Sequence, residues 1–76
     1  MSSDLPAVSG KQVIKALEQR GWYVKRIKGS HHALRHPTVP DTVVVPVHRN
    51  RPIAKGTLGN ILRTAGMTRD QLRDLL

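Results

Sequence analysis

Seventy-six residues make one small domain with one core, and a chain this short buries only about 60–65% of its unfolded surface. The absence of cysteine excludes a disulfide framework and a cysteine-based zinc site, and the absence of about 18 consecutive apolar residues excludes a membrane-spanning helix. Thirteen Lys and Arg against five Asp and Glu give a formal net charge of +8 at pH 7, which favours a polyanionic partner, either nucleic acid or an acidic protein.

Residues Met1 to Val8 show no periodicity and read as a flexible arm (residues 1–8) ahead of a single domain (residues 9–76). They also lack the basic-then-apolar layout of a secretory signal, so a soluble, cytoplasmic protein is expected. Ser9 and Gln12 match the capping-box pattern at a helix start. Val13, Ile14 and Leu17 then fall on one face, and Gly21 ends the helix. Trp22 to Lys28 reads as a strand, Gly29-Ser30 as a turn, and His31 to His36 as a second strand. Thr42 to Val47, with four valines, is the clearest strand, and Pro46 confines it to an edge or a short pairing. After the basic loop His48 to Pro52, a helix from Lys55 or Thr57 to Ala65 places Leu58, Ile61, Leu62 and Ala65 at i, i+3, i+4 and i+7, and Gly66 stops it. Thr68 and Gln71 repeat the capping box ahead of a short third helix. The expected architecture is α+β, α-β-β-β-α with a short C-terminal helix, the helices lying on one face of a three-stranded antiparallel sheet.

The chemistry concentrates in Lys28 to Pro37, where three of the four histidines fall within six residues beside Arg26, Lys28 and Arg35. Histidine alone has an unperturbed pKa between pH 5 and 8, so a positioned imidazole can take and return a proton, and surrounding cations supply charge to phosphate oxygens. Successive strand side chains point to opposite faces. Leu34, the one strongly apolar residue of the second strand, should face the helices, taking His32 and His36 with it and leaving His31, Ala33 and Arg35 on the open face. His31 is therefore the candidate reacting group; a bulge after Gly29 would invert the assignment. His32 and His36 are expected to be structural, hydrogen-bonded to backbone. His48 is expected in a loop or on RNA. A zinc site from the four histidines is set aside, because adjacent strand histidines diverge and no carboxylate completes a tetrahedron. Trp22 and Tyr23 could each stack on a base, and Trp22, packed over the first helix, is assigned to the core.

Gly21-Trp22 after a short helix, Lys28-Gly29-Ser30-His31-His32 with His36-Pro37, the Val43 to His48 run ending Val-Pro-Val-His, and Lys55-Gly56-Thr57-Leu58 leading to Ala65-Gly66-Met67-Thr68 together resemble the HicA toxins, from Ser9 to Leu76. The resemblance implies a double-stranded-RNA-binding-domain-like fold and a toxin of a type II toxin–antitoxin system. It further implies a ribosome-independent endoribonuclease (mRNA interferase) that cleaves mRNA and is neutralised by a HicB-type antitoxin. It also implies that His31, directly after Gly29-Ser30, is catalytic. Some members keep only the histidine one place later, so His32 is the reserve.

On this reading His31 acts as general base on a ribose 2′-OH without metal or other cofactor, and Lys28, Ser30 and Arg35 attend the phosphate. Arg26, His48, Arg49, Arg51 and Lys55 complete the expected RNA-binding set. Two other classes compete: a non-catalytic RNA-binding module of the same fold, and a module that binds only an acidic protein. Against the first stand the histidine cluster and the sparse cations, Arg51 and Lys55, at the start of the second helix.

Overall fold

The computed structural model describes residues 7–76, so the arm expected over residues 1–8 lies outside the described residues as far as residue 6. Its last residue does not belong to an arm. Val8 is 2% exposed, its carbonyl accepts a hydrogen bond from Ile53 N at 2.8 Å, and Ser9 bridges to Pro52. A branched side chain directly ahead of the helix cap is held by the core, which an aperiodic, polar flank did not disclose.

Helix α1, Gly10–Gln19, starts at the predicted box: Gln12 N donates to Ser9 Oγ at 3.3 Å and Ser9 N donates to Gln12 Oε1 at 2.9 Å. Both bonds satisfy amides that the first turn would otherwise leave open. Val13, Ala16 and Leu17 are buried along its inner stripe.

Strands β1 (Tyr23–Lys28), β2 (His31–Arg35) and β3 (Val43–Pro46) form an antiparallel meander of order β1-β2-β3. Each is slightly shorter than the sequence pattern. Trp22, His36, Thr42 and Val47 drop out of the ladder, Trp22 because its side chain turns into the core, where it is 3% exposed. Pro46 ends β3, an edge strand, where its missing N–H disrupts no central ladder.

Helix α2, Lys55–Ala65, is closed by Gly66, and α3, Arg69–Leu75, opens on the second capping box, Thr68 with Gln71. Gln19 Nε2 donates to Leu75 O at 3.1 Å, tying the end of α1 to the end of α3. Leu34, Val43 and Val45 from the sheet meet Leu17, Leu58, Ile61, Leu62 and Leu72 from the helices in one apolar cluster, and the described residues contain no buried polar or charged residue. The fold is α+β, α-β-β-β-α-α, with the helices on one face of the sheet. This is the layering expected of a small double-stranded-RNA-binding-domain-like fold.

The start of α1 lies against the end of β3 at Gly10. A Cβ there would collide with the Pro46 carbonyl oxygen and lie 2.9 Å from Val47 Cγ2, so only glycine lets α1 start against the end of β3. Gly59, within α2, has open space where its Cβ would be. Gly10→Ala is therefore expected to destabilise the protein by about 1–3 kcal/mol through overpacking. Gly59→Ala is expected to stabilise it by about 0.4–1 kcal/mol through helix propensity. Urea unfolding of the two variants checks the opposite signs.

Candidate functional site

The site is built on the β1–β2 hairpin. Its two-residue loop carries Gly29 at φ +59, where the first central position of a II′-type turn needs a residue that tolerates positive φ. Val47 N donates to Ser30 O at 2.7 Å, which fixes the turn to the chain leaving β3 just ahead of His48.

Register then decides what faces where. Leu34 pairs with Val24 and Val43, and His32 with Ile27 and Val45, so this row belongs to the helix side. Lys28, His31 and Pro46 are opposite one another, as are Arg26, Ala33 and Val44, and Tyr23 is opposite Arg35; these make up the open face. His31 is exposed, and its ring makes no hydrogen bond among the described residues.

The sheet does contain a bulge, but in β1, between Val24 and Arg26, and not after Gly29, so the parity of β2 stands. Lys25 is the extra residue. Counted evenly from Tyr23, Arg26 would point at the helices; the inserted residue returns it to the open side, opposite Ala33. The sequence held a signal for this: Val24 and Ile27 are three apart and share a face of one strand only if a residue is inserted between them.

Arg26, Lys28 and Arg35 therefore share a face with His31, and no strand carries a carboxylate. Glu18 lies on α1, Asp70 and Asp74 on α3, and Asp41 in the loop before β3. The cations are not equivalent. Lys28 is directly cross-strand from His31, whereas Arg35 is four residues along β2, about 13 Å away at the rise of an extended strand. Arg49, at φ +55, and Arg51, whose N–H donates to His48 O at 3.0 Å, shape an exposed basic turn after β3. Lys55 stands apart: it opens α2 and lines an apolar groove of about 420 Å³ with Val8, Pro52, Ile53, Leu58 and Leu62.

The remaining histidines behave differently from each other. Thr38 N–H donates to His36 Nδ1 at 3.1 Å, and a backbone amide can only donate, so the ring proton is assigned to Nε2, 2.9 Å from Arg20 O. The ring also packs on Trp22, centroids 5.2 Å apart. His36 thus clamps the end of α1 to the loop after β2, the structural role expected of it. His32 does not match that expectation: its Nδ1 is buried with no hydrogen-bond partner among the described residues. On the helix-facing row its neighbours Val45 and Ile27 offer no polar side-chain atom.

A family model described as the HicA toxin of bacterial toxin–antitoxin systems matches residues 10–67. The chain belongs to the HicA toxin family. The match runs from the first residue of α1 to just beyond Gly66, so the HicA region holds both layers of the fold, the hairpin and the basic turn, and leaves α3 beyond it. A comparison with curated proteins found no match. No helix among the described residues of this HicA toxin is long and apolar enough to cross a membrane.

His36→Ala removes the clamp while leaving the exposed face untouched. It is expected to cost about 0.5–1.5 kcal/mol of stability for each hydrogen bond lost, to Arg20 O and from Thr38 N–H, with a lowered Tm and no change in any activity of the hairpin below it. Thermal unfolding and an activity assay well below Tm separate the two effects.

Proposed function

We propose that the protein is an endoribonuclease of a type II toxin–antitoxin pair that cleaves mRNA without the ribosome, with His31 as the catalytic histidine and a HicB-type antitoxin as its inhibitor. The observation that carries the reading is His31 itself: an exposed imidazole without a hydrogen-bond partner among the described residues, cross-strand from Lys28, on a face whose described residues bear cations and no carboxylate.

In the proposed step His31 takes the proton of a ribose 2′-OH and the oxygen attacks the adjacent phosphorus. The bond to the 5′-oxygen breaks, and that oxygen leaves with a proton from solvent. Lys28 stabilises the charge developing on the phosphoryl oxygens, and the Ser30 hydroxyl at the turn orients one of them. Arg35 and Arg26 hold flanking phosphates, as the strand spacing from His31 requires, and His48, Arg49 and Arg51 extend the basic track, from which Lys55 on α2 stands apart. The step needs no metal, its products are a 2′,3′-cyclic phosphate and a 5′-hydroxyl, and DNA survives. An acidic antitoxin surface would compete with RNA for the same positive face. His32 is the reserve for the reacting group; its half-buried place on the helix-facing row favours His31.

Labelled single-stranded RNA incubated in EDTA with wild type, His31→Ala and His32→Ala tests this. His31→Ala is expected to lose about 100- to 10,000-fold in rate, the usual range for general acid–base help. Loss in His32→Ala alone would transfer the role to that residue. A 5′-phosphate product would exclude the chemistry, and RNA left intact by a folded wild type that still binds it would leave the non-catalytic RNA-binding module.

A further inference from the structure

The open face carries more than charge. Tyr23 is 46% exposed and Val44 47% exposed; Val44 is opposite Ala33, whose partner on β1 is Arg26, and Tyr23 lies one row on, opposite Arg35, so the apolar groups run diagonally among the cations. Nothing in the proposed hydrolysis uses these apolar groups. Trp22, the larger aromatic, is spent in the core, so Tyr23 is the aromatic ring available on the face.

We infer that the sheet holds single-stranded RNA, with Tyr23 stacking on a base upstream or downstream of the phosphate at His31. The inference rests on the ribonuclease reading above and names the form of its substrate. Domains of the double-stranded-RNA-binding kind read duplex shape along grooves and phosphates, whereas sheets with exposed aromatics stack unpaired bases. Here the start of α2 has only Arg51 and Lys55 where duplex-binding domains carry a lysine cluster, while the sheet has the ring, the apolar floor and the cations. Arg35 is directly cross-strand from Tyr23, so a base on the ring has a cation beside it for its own phosphate. The roughly 13 Å between this pair and His31 along β2 separates a stacked base from the cleaved bond. A duplex, whose bases are already stacked on one another, gains nothing from Tyr23.

The test uses a fluorescent 2′-O-methyl oligoribonucleotide, which lacks the attacking hydroxyl and therefore reports binding alone. Its affinity is measured for wild type, Tyr23→Ala and Tyr23→Phe, beside a duplex of the same sequence. Expected are a Kd raised about 5- to 150-fold by Tyr23→Ala, recovery to near wild type by Tyr23→Phe, and no effect of either on duplex binding. With cleavable RNA, Tyr23→Ala should raise KM and leave kcat largely unchanged. An oligonucleotide carrying 5-iodouridine should cross-link to Tyr23 of the wild type, a readout that needs no variant to fold.

Equal affinity of all three proteins for the single strand, or cross-links confined to the helices, would overturn the inference while leaving the nuclease reading in place. Tyr23-dependent binding by a wild type that cuts nothing would overturn the nuclease reading and leave the stacking face standing.

Discussion

Burial of Leu34 between Val24 and Val43 is the constraint on which the site depends. A strand side chain has two choices of face, so fixing one residue fixes its whole strand. With Leu34 held among the helices, His32 follows it inward, and His31 and Arg35 are committed to the outside. No hydrogen bond to the imidazole is required. The exposed histidine is aimed by a leucine three residues away, and the Gly29 turn and the Ser30–Val47 bond then hold its end of the strand still.

Much of this could be read from the chain because the relevant signals are local. Ser9 with Gln12 and Thr68 with Gln71 are side chains answering backbone amides three residues away, and both boxes form. The parity argument needed only Leu34 and the alternation of a strand. What the sequence concealed depends on distant partners. Val8 is buried because Ile53 N reaches its carbonyl. His36 is a clamp because Arg20 O and Thr38 N meet at its two nitrogens, whereas its neighbour on the same parity, His32, has a buried Nδ1 that meets none. The bulge at Lys25 could have been suspected from the spacing of Val24 and Ile27, but choosing a bulge over a misplaced apolar residue requires the register of β2.

The charge of +8 is likewise not spread evenly in its consequences. On α3, Arg73 meets Asp70 at 3.3 Å in an exposed pair of little energetic weight. The sheet cations have no acidic neighbour on the three described strands, so a polyanion reaching this face would lower their mutual repulsion. The apolar core beneath, which contains no buried charge among the described residues, is what holds these cations together on one surface.

The bulge in β1 has a consequence beyond aiming Arg26. β1 is an edge strand, and Ile27 on it is 60% exposed, a combination that invites pairing with the same edge of another copy. An inserted residue breaks the regular ladder that such pairing would need, and Arg26 and Lys28 flank the isoleucine with like charge. The cations of the open face thus also oppose pairing between copies at this edge, and neutralising them would leave an aggregation-prone edge without that repulsion.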